Sequence, residues 1–338
     1  MIRSPVVQIA LVVLGCVVSG TLECAQVPLA ANEEHGRELY GRMCAVCHGR
    51  AGEGYAADHA TALAHPDFLS SVSDSYLRTA ITYGRTGTTM SAWATTLGGP
   101  LHGEDVDALV AYVRTWQKTP SLVLDQRPLA GDSDRGRPLF VRECAVCHGA
   151  DGRGGPEVHI GNHDLLESAS NGFLRYAITR GRSGTKMPAF GPNLGEGGVE
   201  DLIAALRGLP PASRMPPRPT WPPARVPPIP LGPVPLHPHG PEPVGFRGQG
   251  QTTSAETVKG QLDRGARMAI LDARAPSDYA NEHIAGAVSV PFYDPEPYVA
   301  SLPRDAWLVC YCSCPHAESG QLAAKLDAKG FKKVTVLD

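Results

Sequence analysis

Met43-Cys44-Ala45-Val46-Cys47-His48-Gly49 recurs as Glu143-Cys144-Ala145-Val146-Cys147-His148-Gly149, 100 residues further on. A second stretch, Ala80-Ile81-Thr82-Tyr83-Gly84-Arg85-Thr86-Gly87-Thr88-Thr89-Met90, recurs as Ala177-Ile178-Thr179-Arg180-Gly181-Arg182-Ser183-Gly184-Thr185-Lys186-Met187, 97 residues on. Two landmarks kept in order at nearly one displacement mean a duplicated domain, and the period is too long for a solenoid. The first unit spans roughly residues 31–120, the second roughly 131–210. Each reads as helical with long loops. A helix before each cysteine pair is predicted to start near Asn32 and near Asp134, both good N-caps. A helix after each methionine is predicted over 104–113, with acidic residues in its first turn and apolar spacing beyond, and over 199–209. Units this small and this rich in loop are marginal without a large apolar group inside.

Cys-x-x-Cys-His is a specific short motif. Two thiols at that spacing each add to one vinyl group of a haem, and the adjacent histidine falls on the proximal side of the iron. The pattern assigns attachment to Cys44, Cys47, Cys144 and Cys147 and ligation to His48 and His148, hence two haem c groups. A single copy also suits a redox dithiol or half a zinc site. A thioredoxin-type dithiol would follow a strand, whereas these pairs follow helices. The sixth ligand must come from the other face of the ring. Met90 lies 43 residues after Cys47 and Met187 lies 40 after Cys147, in matched Gly-rich loops. Met187-Pro188-Ala189-Phe190 is stiffened by its proline, whereas Met90-Ser91-Ala92-Trp93 has serine there, which predicts a less rigid loop. His59, His65, His102, His159 and His163 are the competing candidates.

With these motifs in place, residues 31–210 resemble two class I, mono-haem cytochrome c domains in tandem. The family carries a glycine and an aromatic in its first helix, matched by Gly36 with Tyr40 and by Gly136 with Phe140. In the family that glycine lets the first and last helices cross closely, with an aromatic from the last helix at the crossing. Tyr112 matches it in the first unit. Ala205 stands there in the second, which predicts looser packing. The resemblance implies an all-α fold for each unit, haem c, His/Met ligation and electron transfer to and from redox partner proteins.

Residues 211–249 are saturated with proline, including Pro216-Pro217, Pro222-Pro223 and Pro227-Pro228, and read as a semi-rigid spacer. Beyond them the pattern changes. Residues 255–262 and 319–329 read as helices, and 268–271, 307–311 and 333–337 as strands, which suggests a parallel sheet. Leu271-Asp272-Ala273-Arg274, followed by His283-Ile284-Ala285-Gly286-Ala287, resembles a rhodanese domain over 250–338, with Glu282 where the family has glycine. The match stops at Asp338, short of the family's usual final glycine pair and helix. The chain as a whole then reads as two all-α cytochrome c domains followed by one α/β rhodanese-like domain.

The resemblance implies a nucleophilic Cys312 at the end of the central strand, where loop amides and a helix N-terminus stabilise a thiolate and then a persulfide. The loop Cys312-Ser313-Cys314-Pro315-His316-Ala317-Glu318-Ser319 departs from the family. It lacks the usual arginine and carries an acidic residue, which disfavours thiosulfate. Three readings stay open. The module couples sulfur chemistry at Cys312 to the haems, as a sulfurtransferase or sulfur-oxidising site acting on small sulfur species. It is a non-catalytic binding module on a pure electron carrier. Or Cys312 and Cys314, with His316, form a thiol or metal sensor.

The rest bounds the setting. Arg3 followed by an uncharged apolar run to Val18 is shorter than the roughly 20 residues of a spanning helix, so 1–25 reads as a secretory signal. Val13-Leu14-Gly15-Cys16 also resembles a lipoprotein box, which would make Cys16 a membrane tether. The expected location is periplasmic, or membrane-anchored facing the periplasm. Nine cysteines, with four of them in two Cys-x-x-Cys pairs, do not make a disulfide framework. A net charge of −3 argues against nucleic acid as a partner.

Overall fold

The computed structural model describes residues 29–210, 234–248 and 251–338. The leader reading, with Cys16, and the first part of the proline-rich stretch lie outside the described residues. In the first unit α1 (Leu29–Leu39) passes through one π-type turn, Tyr40–Cys44, into α2 (Ala45–His48). Then come α3 (Pro66–Ser71), α4 (Asp74–Tyr83) and α5 (Gly103–Arg114). The second unit repeats this order as α6 (Ser133–Glu143), α7 (Ala145–His148), α8 (His163–Ser168), α9 (Asn171–Arg180) and α10 (Gly191–Arg207).

Side chains fix the helix starts. Ser73 and Ser170 cap α4 and α9 by accepting from the N–H groups of Tyr76 and Phe173. The cap of α6 is Asp132, whose Oδ1 accepts from the N–H groups of Asp134 and Arg135, so the helix begins before the expected Asp134. α10 starts well before residue 199 because Gly195, at φ 65°, breaks it and only the part beyond carries the apolar spacing.

α1 crosses α5, and α6 crosses α10, at glycine. A Cβ on Gly36 would stand 2.0 Å from the Ala108 carbonyl oxygen, and one on Gly136 would stand 1.9 Å from that of Asp201. The looser second crossing predicted from Ala205 is therefore not found. Backbone meets backbone at the glycine, so the aromatic on the far helix does not set the separation. The second crossing is also tied by Arg135, whose Nε and Nη2 donate to Asp201 at 2.9 and 2.8 Å.

The two units meet through reciprocal contacts, as around a local two-fold axis. The N–H of Thr86 donates to Asp164 at 2.7 Å, and that of Ser183 donates to Asp67 at 2.8 Å. Asn162 donates to the Thr86 carbonyl, and His65 Nε2 donates to the Ser183 carbonyl. Tyr76 packs on Phe173 at 5.6 Å between ring centroids, and His59 packs on His159 at 5.3 Å. Each residue faces its own counterpart or exchanges a contact with it.

The C-terminal module holds β1 (Thr252–Thr253), α11 (Ala255–Asp263), β2 (Met268–Asp272), α12 (Pro276–Asn281), β3 (Val288–Ser289), β4 (Trp307–Tyr311), α13 (Ala317–Ala328) and β5 (Val334–Leu337). The strands form one parallel sheet in the order β1-β5-β4-β2-β3. β2 is buried throughout and β4 nearly so, as strands covered on both faces must be. Residues 234–248 lie along this module. Leu236 bridges Met268, and Phe246 packs edge-on against Trp307 at 5.5 Å. The architecture is thus two helical units followed by an α/β domain. Among the described residues, no helix is long and apolar enough to cross a membrane.

Candidate haem and thiol sites

In the first unit one cavity is lined by Cys44, Cys47, His48 and Met90 together, with Met43, Phe68, Leu77, Ile81 and Leu109 among its apolar walls. Such walls suit a flat apolar macrocycle. His48 Nδ1 lies 2.9 Å from the Thr61 carbonyl oxygen. A carbonyl only accepts, so Nδ1 carries the proton and Nε2 is left as the bare nitrogen that a metal needs. The second unit repeats this, with His148 Nδ1 2.8 Å from the Val158 carbonyl. Burial pushes the Cys44 and Cys47 thiols up to about 12 and Cys144 to about 11, unlike the lowered thiol of a redox dithiol. The residues present fit haem c.

The methionine loops are built alike. The Arg85 N–H donates to the Met90 carbonyl at 2.8 Å and the Arg182 N–H to the Met187 carbonyl at 3.0 Å. The Met90 and Met187 N–H groups donate to Thr88 and Thr185 hydroxyls. The less rigid Met90 loop expected from Ser91 is not found. Ser91 is buried, and its hydroxyl donates to Asp278 of the C-terminal module at 2.6 Å. Of the competing histidines, His65 uses both ring nitrogens, accepting from the Asp67 N–H and donating to Ser183. His102 precedes α5 as its N-cap and His163 opens α8 on the surface. His59 and His159 both border the Met90 cavity at the junction of the units.

The thiol site sits where β4 ends. Cys312 follows Tyr311, and His316, in the left-handed region at φ 58°, turns the loop into α13. Cys312 Sγ lies 3.1 Å from Cys314 Sγ and 3.2 Å from Ser319 Oγ. The Cys314 thiol, the Ser319 hydroxyl and the N–H groups of Ser319 and Cys314 all stabilise charge on Cys312 and hold its thiol well below the ordinary value, against burial. Cys314 is pushed the other way and keeps its proton as the donor. Cys310 is fully buried in the sheet. His316 turns out to Asp338, 3.0 Å away, and does not join the two thiols.

Carboxyl groups crowd this site. Glu318 is 4 % exposed and its carboxyl is pushed well up, first by burial and then by Cys312, Asp278 and Asp272. Arg274 is spent on Asp272, donating from Nε and Nη2 at 2.9 and 2.7 Å, while the Tyr311 hydroxyl donates to the same carboxylate at 2.5 Å.

Sequence reasoning missed that the thiol loop and the first cavity touch. Glu318 borders the cavity that holds Cys47 and Met90. α13 packs against α2, and the charges of Glu318 and Cys312 add to the rise at Cys47. The Ser277 hydroxyl donates to the Ala92 carbonyl at 2.7 Å, and Trp93 packs on Tyr293 at 5.7 Å. The one available signal was Ser91, a polar residue where the repeat has Pro188.

Comparison with known proteins agrees with this geometry. Residues 31–113 and 131–204 match the family described as Cytochrome C oxidase, cbb3-type, subunit III, and residues 254–338 match the Rhodanese-like domain family. The cbb3-type cytochrome c oxidase subunit FixP of Bradyrhizobium diazoefficiens is 26% identical over 189 residues, covering 54% of this chain and 62% of that protein. FixP of Azorhizobium caulinodans is 28% identical over 189 residues, covering 54% and 61%. The chain therefore spans about three-fifths of the length of these curated relatives. A cytochrome c-553-like protein of Synechocystis is 37% identical over 83 residues, which are 24% of this chain and 72% of that protein. The chain belongs to the cytochrome c family, with two cbb3-type cytochrome c domains in tandem followed by a rhodanese-like domain.

Proposed function

We propose that this electron-transfer protein carries two haems c, one on Cys44, Cys47, His48 and Met90 and one on Cys144, Cys147, His148 and Met187. In this reading it is exported, exchanges electrons with redox partner proteins, and draws electrons from sulfur chemistry at Cys312. Haem c, when bound, supplies a one-electron carrier whose potential is raised by thioether ligation. The chain's own residues do the rest. His48 and His148 are oriented by backbone carbonyls, and the matched loops hold Met90 and Met187. Cys312, kept as a thiolate by Cys314 and Ser319, is the nucleophile that attacks a sulfane sulfur, releases the donor's leaving group and becomes a persulfide; with sulfide as the source, two electrons must also leave to the haems.

The observation that carries the coupling is the shared wall: Glu318, four residues from Cys314, borders the Met90 cavity. The test is the reduced-minus-oxidised haem spectrum of the whole protein on adding sulfide or persulfide. We expect haem reduction in wild type and its loss in Cys312→Ser. A wild-type spectrum that does not respond would leave an electron carrier with a docking module. A thiosulfate–cyanide transfer assay on the same pair checks the sulfurtransferase step separately.

A further inference from the structure

The reading above uses Cys312 and leaves Cys314 as no more than its hydrogen-bond donor. Yet Cys314 is buried, 7 % exposed, and its Sγ is in contact with Cys312 Sγ at 3.1 Å. A disulfide needs the two sulfurs at about 2.0 Å, a small approach from this separation. Two thiolates on a tetrahedral zinc would stand about 3.7 Å apart, from metal–sulfur distances of about 2.3 Å. The pair is therefore spaced for each other rather than for an ion, although Glu318 brings a third donor within 4.8 Å of both. Arg274 is already spent on Asp272, so it is not free to pair with an anionic sulfur substrate. A doubly charged thiosulfate needs such a cation more than a hydrosulfide ion does, which is singly charged and in equilibrium with neutral hydrogen sulfide.

Resting on the reading that Cys312 handles sulfur beside the first haem site, we propose that Cys312 and Cys314 form a reversible dithiol–disulfide couple whose oxidised form takes hydrosulfide. In the reduced site Cys312 is the thiolate and Cys314 the thiol. On oxidation the Cys314 S–H bond breaks and its proton goes to solvent while the Sγ–Sγ bond forms. Two electrons leave singly to ferric haem c, the one-electron acceptor that the cytochrome domains supply. Hydrosulfide then attacks Cys312 Sγ. The Sγ–Sγ bond breaks, a new sulfur–sulfur bond forms on Cys312, and its electron pair departs with Cys314, which takes up the proton brought by the hydrosulfide. The deprotonated Cys312 persulfide hands its outer sulfur to an acceptor thiolate, which leaves as its own persulfide, and the Cys312 thiolate returns. Each turn consumes one hydrosulfide and one thiolate and yields one persulfide, one proton and two electrons, which matches a chain with two one-electron carriers.

The test uses the full chain with its haems. The protein is oxidised with ferricyanide, freed of it, denatured without reductant, alkylated with iodoacetamide and digested with trypsin. One peptide, residues 305–325, holds Cys310, Cys312 and Cys314. We expect one alkyl group on it after oxidation and three after reduction, and in Cys310→Ala none and two. A dithionite titration should take two more electrons per chain in wild type than in Cys314→Ser. Hydrosulfide added to the oxidised protein should add one sulfur to Cys312 and free Cys314 for alkylation. Three alkyl groups on the oxidised peptide, or equal electron counts, would overturn the proposal. None of these readouts needs the haem spectrum to respond to sulfide. Sulfide-driven haem reduction that persists in Cys314→Ser at the wild-type rate would sink the couple and leave Cys312 in its role. A disulfide that forms and takes hydrosulfide with no haem response would keep the couple and sink the coupling.

Discussion

At the scale of single residues, the contrast among the cysteines carries the chemistry. Cys44, Cys47 and Cys144 are pushed up by burial, whereas Cys312 is pulled down by donors converging on its sulfur. The sign of the pH dependence follows. A thiol with a lowered folded value stays a thiolate below the ordinary value of 9.0 and loses its charge only as pH falls through the lower one. Iodoacetamide should therefore alkylate Cys312 at a rate that stays nearly flat from pH 9 to pH 7 and falls only at clearly acidic pH. In Cys314→Ala, which removes the strongest donor, the fall should move to higher pH. A fall centred near the ordinary thiol value in wild type would refute the thiolate assignment. Cys312 was legible through the rhodanese resemblance, which puts a nucleophile where an apolar strand ends before a helix. The role of Glu318 was not. Its burial depends on a neighbour more than 200 residues away in the chain, and no local pattern records that.

At the scale of elements, the strands were legible because β2 and β4 are short, nearly unbroken apolar runs, and only a sheet covered on both faces wants those. The helices were legible in kind but not in extent. α10 carries no apolar spacing before Gly195, and α6 takes its cap from Asp132 rather than from the expected Asp134. The glycine crossings were legible in place but misjudged in tightness, since Ala205 in place of an aromatic leaves the backbone approach unchanged. This gives a direct test. Gly36→Ala and Gly136→Ala each put a methyl group inside a carbonyl of the opposite helix. Each should destabilise its unit by about 1–3 kcal/mol or more, the cost of overpacking a site that cannot give way. Gly41→Ala, whose Cβ would meet nothing within 4 Å, is the control. Chemical denaturation followed by the haem absorbance would read all three. If Gly136→Ala is tolerated as well as Gly41→Ala, the second crossing is looser than its geometry.

At the scale of the whole molecule, the joins were the least legible part. The reciprocal contacts between the units run through Asp67 and Asp164, in the first turns of α3 and α8, and the loop residues Thr86 and Ser183, whose types are ordinary in such places. The join to the C-terminal module is similar, with one difference. Ser91 breaks the repeat at a position where Pro188 shows that proline suits the loop. The serine hydroxyl reaches Asp278, and Ser277 next to it holds the Ala92 carbonyl. The loop that carries Met90 is thus fastened to the module that carries Cys312. Ser91→Pro would give the first loop the sequence character of the second and remove the bond to Asp278. It takes from the half-buried Asp278 the donor that now opposes the upward push of burial on its carboxyl. A hydrogen bond of this kind is worth about 0.5–1.5 kcal/mol, and more to the extent that the carboxyl is charged, enough to loosen a small docking surface. The expected result is a protein whose two haems keep their spectra and whose Cys312 alkylates as before, but whose sulfide-driven haem reduction slows at least tenfold. Limited proteolysis should at the same time separate the C-terminal module from the cytochrome units more readily. An unchanged reduction rate in a protein that has demonstrably come apart would mean that electrons do not pass through this contact.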